Sequence, residues 1–173
     1  MRKIINPWIG TPSYNCFVCC PTNPKGLHLE FYEDGDYVVT KFKPTRDYES
    51  WENTLHGGIQ ALLIDETAGW VVCRKLQTNG VTSKMNMEYL KPVSSHLDEI
   101  TVRAKISKMM RNVAFIEAEL MDADNTVLTR AELIYFCTPK WTATPRFTAS
   151  RRWMITVSLP ASSSPGKNST KGA

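Results

Sequence analysis

The stretch Leu55–Cys73 constrains this chain more than any other. It reads Leu-His-Gly-Gly-Ile-Gln-Ala-Leu-Leu-Ile-Asp-Glu-Thr-Ala-Gly-Trp-Val-Val-Cys. From Ile59 onward it contains no proline, is apolar on nearly every face, and is long enough for about five helical turns. Such a helix is surrounded by protein on most sides. Two adjacent carboxylates, Asp65 and Glu66, nevertheless fall in the middle of it. Burying an ionised acid costs several kcal/mol unless it is paired or neutralised, so at least one of them must face a polar pocket.

The start of this helix carries the opposite electrostatic character. Gly57 and Gly58 have no side chains, so their N–H groups can approach a ligand where first-turn donors and the helix dipole favour a developing oxyanion. Asp65 lies seven residues beyond Gly58, roughly 10 Å along the axis at about 1.5 Å per residue. That is too far for both groups to touch one carbonyl carbon. If both act, two chains must share the site.

A chain of 173 residues suits one domain with a sizeable core. Leu27–Phe31 and Tyr37–Phe42, separated by Glu33-Asp34-Gly35-Asp36, predict a hairpin. After the helix, strands are expected at about Thr82–Leu90, Glu99–Met109, Val113–Met121 and Val127–Phe136, the last three as an antiparallel meander. Strands, one long helix and more strands predict an α+β fold with the sheet wrapped around the helix.

From Trp141 to Ala173 there are five basic residues and no acids, which leaves 16 basic against 17 acidic residues in the first 140. The net charge of +4 therefore belongs to the tail, whose Ser-, Pro- and Gly-rich end has the composition of a disordered segment. Within it, Trp153–Val157 is apolar enough to dock as an edge strand. The near-neutral folded part argues against nucleic-acid binding. No stretch reaches the roughly 18 apolar residues of a membrane span, and the chain is read as cytoplasmic. The five cysteines are expected as free thiols. Cys16, Cys19 and Cys20 invite a zinc reading, but only His28 lies near enough in sequence to add a ligand, so no metal is expected.

His56-Gly57-Gly58, with Asp65 nine positions after the histidine and followed by Glu66 and Gly69-Trp70, resembles the hot dog fold acyl-CoA thioesterases of the phenylacetyl-CoA (PaaI) type. The resemblance reaches upstream to Cys16-Phe17-Val18-Cys19 and Asn23-Pro24-Lys25-Gly26-Leu27, and downstream through Met85–Pro92 to about Pro139. It implies a hot dog fold of five to six antiparallel strands around one central helix. The expected division is an N-terminal segment (1–26), a thioesterase domain (27–140) and a basic tail (141–173).

The resemblance further implies thioester hydrolysis of a small or medium acyl-CoA in a homodimer or homotetramer with shared sites. No cofactor is expected, coenzyme A being part of the substrate. Asp65 is the implied nucleophile or general base, Gly57 or Gly58 the amide donor, His56 the residue that positions the thioester or the glycine turn, and Thr82 the hydroxyl that holds the attacking water or the acid. Ser83, next to Thr82, is a weaker match. Glu66 is expected either as a structural pair or as the acid that matters, and Asn86 either at the site or as a buried amide tying strand to helix. Asn53 stands where relatives place glycine or proline, and its amide is expected to add a donor near the carbonyl; Trp51 and Trp70 are expected in packing or along the acyl pocket. Two rival readings are an acyl-CoA hydratase or dehydratase of the same fold, and a module that binds acyl-CoA without cleaving it.

Overall fold

The computed structural model describes residues 1–138 and the backbone of residues 156–157. Before the helix lie β1 (Arg2–Ile4), β2 (Phe31–Asp34), β3 (Tyr37–Phe42) and a short ribbon of β4 (Glu49–Trp51) with β5 (Thr54–Leu55). Helix α1 (Gly57–Val71) follows and runs on into a π-helical turn, Val72–Leu76. After it come β6 (Gly80–Tyr89), β7 (Ile100–Met110), β8 (Val113–Met121) and β9 (Val127–Cys137). The main sheet is antiparallel with strand order β1-β2-β3-β7-β8-β9-β6, and the two-residue strand β10 (Thr156–Val157) adds to β1. The expected hot dog arrangement is present, with the helix inside the curve of the sheet.

The chemistry of the inner face lets the helix sit close. Ala104 of β7, Ala118 of β8 and Ala131 of β9 are paired in register across three neighbouring strands and are fully or almost fully buried. Small side chains in a row leave a trough in the sheet, flanked by the larger Val102, Ile116, Leu120 and Leu133. Leu63, Ile64, Ala68, Val71 and Val72 of the helical segment are buried within the same core. One buried polar link joins helix to sheet: Thr129 donates to Gln60 Oε1 at 2.5 Å, and Gln60 Nε2 donates to the Leu55 carbonyl at 3.2 Å, so the amide is satisfied.

Two expectations about the strands need correction. The sheet has seven strands within residues 1–138 rather than five or six, because the N-terminal residues supply β1. The first hairpin strand begins at Phe31 rather than Leu27. His28 takes a left-handed conformation (φ 54°), and the Leu27 and Leu29 N–H groups donate to Phe17 O and Val18 O, each at 2.9 Å. Leu27 and Leu29 are thus tied to the cysteine-containing turn, and the Glu30 carbonyl accepts from Thr40 Oγ1 of β3 at 2.7 Å without joining the ladder. Of the apolar segment expected to dock as an edge strand, Thr156–Val157 pair with Lys3 and Ile4; the remainder of the tail lies outside the described residues.

The C-terminal end of the helical segment is anchored by charge. Arg74 and Lys75 of the π-helical turn both bind Glu33 of β2, at 2.8 and 2.7 Å, with the Glu33 side chain only 10% exposed. Burial raises the Glu33 pKa, but the Lys75 and Arg74 hydrogen bonds and charges together outweigh it and hold the carboxyl below its ordinary value.

Candidate active site

Asp65 lies midway along α1 and faces β6 and β9. Thr82 Oγ1 donates to its Oδ1 at 2.7 Å. The Tyr135 hydroxyl reaches the same Oδ1 and the Asp65 carbonyl oxygen, each at 2.8 Å. Both donors converge on one oxygen, which fixes the carboxylate plane and leaves Oδ2 free of protein donors among the described residues. Burial pushes the Tyr135 hydroxyl pKa up, and the neighbouring Asp65 charge adds to this, so Tyr135 stays protonated and can only donate to the carboxylate.

These groups line a cavity of about 370 Å³ together with Trp8, Tyr14, Trp70 and the thiols Cys16, Cys19 and Cys73. Glu66 lines it too. Although the two acids are adjacent in sequence, Asp65 turns toward β6 and β9 while Glu66 turns toward the N-terminal turn. Glu66 Oε1 accepts from Cys19 Sγ at 2.8 Å, from Trp70 Nε1 at 3.1 Å and from Cys16 Sγ at 3.6 Å. Trp70 is itself clamped, stacked on Phe31 at 4.7 Å between ring centroids and edge-on to Trp8 at 5.6 Å. The Cys19 hydrogen bond pulls the Cys16 thiol pKa down to about 7. Cys19 is pushed the other way by that same contact, by burial and by Glu66.

The helix start is built by the segments around it. The Leu55 N–H donates to Val93 O and the His56 N–H to Tyr48 O, both at 2.8 Å. His56 is the N-cap of α1, and its Nδ1 accepts the Gly58 N–H at 2.8 Å. That contact corrects one expectation: the Gly58 amide is already committed, and Gly57 is the turn amide left without a protein acceptor among the described residues. A Cβ at Gly57 would sit 3.3 Å from the Tyr89 ring, whose hydroxyl donates to Gly57 O at 3.1 Å.

The remaining sequence candidates scatter. A register shift between Thr82 and Lys84 resets the alternation of β6, so that Thr82, Met85 and Met87 are partly buried while Ser83 and Asn86 are exposed. Asn86 is therefore not a buried tie between strand and helix. Asn53, in the β4–β5 turn with φ 61°, accepts from His96 Nε2 at 2.5 Å, and its carbonyl accepts from the Ser95 N–H at 3.1 Å. Its side-chain oxygen thus holds the loop beside the helix start. Trp51 is 81% exposed and packs in no core. His28 Nε2 bonds Asn23 O at 2.6 Å and takes no part in the thiol cluster.

Sequence reasoning missed Tyr135 and the meeting of Glu66 with Cys16 and Cys19. Tyr135 had a signal: its strand alternates, and it falls on the same face as Ala131 and Leu133, which are buried. The Glu66 contacts had none, since fifty residues separate it from Cys16.

Comparison with known proteins agrees with this fold. A profile of the Thioesterase superfamily matches residues 52–129, from the β4–β5 turn to β9. Acyl-coenzyme A thioesterase 13 from Homo sapiens is 27% identical over 84 residues, covering 48% of this chain and 59% of that protein. The Mus musculus protein of the same name is 29% identical over the same coverage. This chain thus spans about three-fifths of the length of the curated relatives it matches. Among solved structures, a hypothetical thioesterase from Streptococcus pneumoniae TIGR4 with coenzyme A has a TM-score of 0.58 at 23% identity, covering 64% of this chain and 88% of that one. Zebra fish thioesterase superfamily member 2 has a TM-score of 0.57 at 21% identity, covering 62% and 80%.

Proposed function

We propose, from the match of residues 52–129 to the Thioesterase superfamily and from the geometry of the site, that this chain hydrolyses the thioester of a small or medium acyl-CoA to free acid and thiol. The observation that carries the reading is Asp65, with one oxygen pinned by Thr82 and Tyr135 and the other presented to a cavity. A carboxylate oriented in this way serves as a base for water or as a nucleophile. As base, Asp65 takes a proton from water, the hydroxyl oxygen bonds to the carbonyl carbon, and the C–S bond breaks to release the CoA thiolate. The carbonyl oxygen, gaining negative charge, rests against the Gly57 N–H at a helix start, where one such donor is worth about 3 kcal/mol. Thiolate is a good leaving group, so the carboxylate and the amide suffice for the chemistry.

The two groups come from different chains in this reading. The axial separation within one helix keeps the Gly57 amide of a protomer away from its own Asp65. Strand β6 is the outer strand of the sheet beyond β9, ten residues long and without a strand neighbour on its far side among the described residues. A long open edge invites pairing. Pairing of β6 with its copy in a second protomer, or a tetramer built from such pairs, would bring each glycine turn toward the partner's acid. An acyl-CoA substrate for this chain is supported by the activity in the name of the curated relatives and by the coenzyme A in a structural neighbour. A cytoplasmic location belongs to the same proposal; no helix among the described residues is long and apolar enough to cross a membrane.

A hydratase would need an imidazole placed to move protons at the acyl chain. His28, His56 and His96 are engaged with Asn23, Gly58 and Asn53, and none of them lines the cavity. The deciding experiment measures thiol release across a panel of acyl-CoAs. Turnover by the wild-type chain is expected, and Asp65→Asn is expected to lower kcat by orders of magnitude while the fold is kept. Binding of acyl-CoA without thiol release would convert the reading to that of a binding module.

A further inference from the structure

The proposed hydrolysis uses Asp65 and leaves unexplained the thiol and carboxylate cluster on the other wall of the same cavity. The Cys20 N–H donates to Cys16 O at 3.2 Å, closing a turn that puts the two thiols of Cys16-Phe17-Val18-Cys19 on one side. Glu66 arrives from the helix. The Cys16 Sγ, Cys19 Sγ and one Glu66 carboxylate oxygen all lie within 4.8 Å of one another.

The groups around these three atoms resemble the outer shell of a metal site. The Val18 N–H donates to Cys16 Sγ at 3.4 Å, the Tyr14 hydroxyl lies 2.8 Å from Cys19 Sγ, and Trp70 Nε1–H is 3.1 Å from Glu66 Oε1. Donors aimed at ligating atoms are what orient first-shell ligands. Glu66, in contrast, has no Lys or Arg ion pair among the described residues; its partners are two thiols and an indole, none of them cationic. A half-buried carboxylate with no cationic partner is in place for a metal ion.

The distances fit. With Zn–S of about 2.3 Å and Zn–O of about 2.0 Å, the S to O edge of a tetrahedron is about 3.5 Å. The Cys16–Glu66 separation is 3.6 Å. The Cys19–Glu66 contact of 2.8 Å contains a thiol proton where the ion would sit, and opens by about 0.7 Å when that proton leaves.

We propose that Cys16, Cys19 and Glu66 form a divalent-metal site that selects zinc, with its fourth position opening on the cavity. Two thiolates and one carboxylate in tetrahedral array favour Zn²⁺ over Mg²⁺ or Ca²⁺, which take oxygen ligands in larger number. The exchange balances: Zn²⁺ enters, two thiol protons leave to solvent, and the cluster's net charge remains that of one carboxylate. A Cys16–Cys19 disulfide would instead remove both S–H donors and leave Glu66 with the indole alone. The ion would bolt the N-terminal turn to the helix next to Asp65. His28, the expected sequence neighbour, has no part in it; the third ligand comes from fifty residues downstream of Cys16.

The test uses the full chain, reduced and stripped of metal, titrated with Co²⁺ and then with Zn²⁺. The expected result is one Co²⁺ per chain with a thiolate-to-cobalt charge-transfer band, bleached by one equivalent of Zn²⁺. Zinc should also shield Cys16 and Cys19 from alkylation and raise the melting temperature. Cys16→Ser, Cys19→Ser and Glu66→Gln should each weaken Co²⁺ binding by about tenfold or more, the last with the thiolate band retained. Circular dichroism reports whether each variant folds, and the wild-type titration decides the matter where a variant does not. Absence of the charge-transfer band in the reduced wild-type chain, binding unchanged in folded Cys16→Ser and Cys19→Ser, or isolation of the pair as a disulfide that takes no metal after reduction would overturn the proposal. Thiol release from acyl-CoA is not a readout, so the metal site and the hydrolytic reading stand or fall separately.

Discussion

Asp65 illustrates how much one carboxylate depends on the hydroxyls around it. Its Oδ1 receives Thr82 and Tyr135, and removing either leaves an acid that can rotate. Tyr135→Phe deletes the donor without a change of shape. It is expected to cost about 1 kcal/mol of stability, by urea unfolding, and, under the proposed hydrolysis, to lower kcat roughly tenfold with little change in KM, because an interaction that orients the acting carboxylate counts mainly in the transition state. Thr82→Val should act in the same direction. Replacing both should lower kcat by less than the product of the single losses, since the two hydroxyls bind one oxygen. Ser83→Ala, one position along on the exposed side of the strand, should leave kcat within twofold. Sequence alone picked out Asp65 from an acid inside an apolar run, and Thr82 from family likeness. It ranked Thr82 above Ser83 by that likeness alone and held no physical reason for the order, because the register shift that turns one inward is a property of the paired strands.

Elements are held to one another by a few contacts that carry their own predictions. The Glu33 link joins β2 to the π-helical turn through Arg74 and Lys75. Its folded-state pKa lies below the ordinary value, so its contribution is present in full above the unfolded glutamate value of about 4.3 and is lost as pH falls through the folded value. Glu33→Gln should therefore cost about 2 kcal/mol at neutral pH. The gap from wild type should close on acidification below that window, as measured by denaturant midpoints across pH. A gap that did not depend on pH would assign the cost to packing. The alanine row sets a second limit: Ala118→Leu fills the trough under the helix and should destabilise by about 1 to 3 kcal/mol. Periodicity located β7, β8 and β9 to within a residue or so, since their inner faces alternate. It did not locate β1, three residues long with nothing periodic to read, nor the loss of Leu27–Leu29 from the sheet, which follows from hydrogen bonds to the cysteine turn.

At the scale of the assembly, the proposed active site requires two copies. Gly57→Val should block the amide at the helix start, since even a Cβ there meets the Tyr89 ring, while Asp65→Asn removes the acid. Each variant alone is expected to be inactive. Refolding them together should restore about a quarter of wild-type thiol release, because in a two-fold symmetric pair half the dimers are mixed and each has one intact site. No recovery from folded, mixed dimers would place both groups in a single chain. The sequence by itself determined that a long apolar helix lies inside a sheet, that an acid within it must face a pocket, and that two glycines at its start leave backbone amides open. Each of these follows from local pattern and the cost of burying charge. Only the tertiary structure decided which oxygen of Asp65 is bound, that His56 takes the Gly58 amide, and that Cys16 and Cys19 meet Glu66. Those contacts join residues through the folding of strands and turns, and hydrogen bonds acting over about 3 Å leave no trace in spacing along the chain.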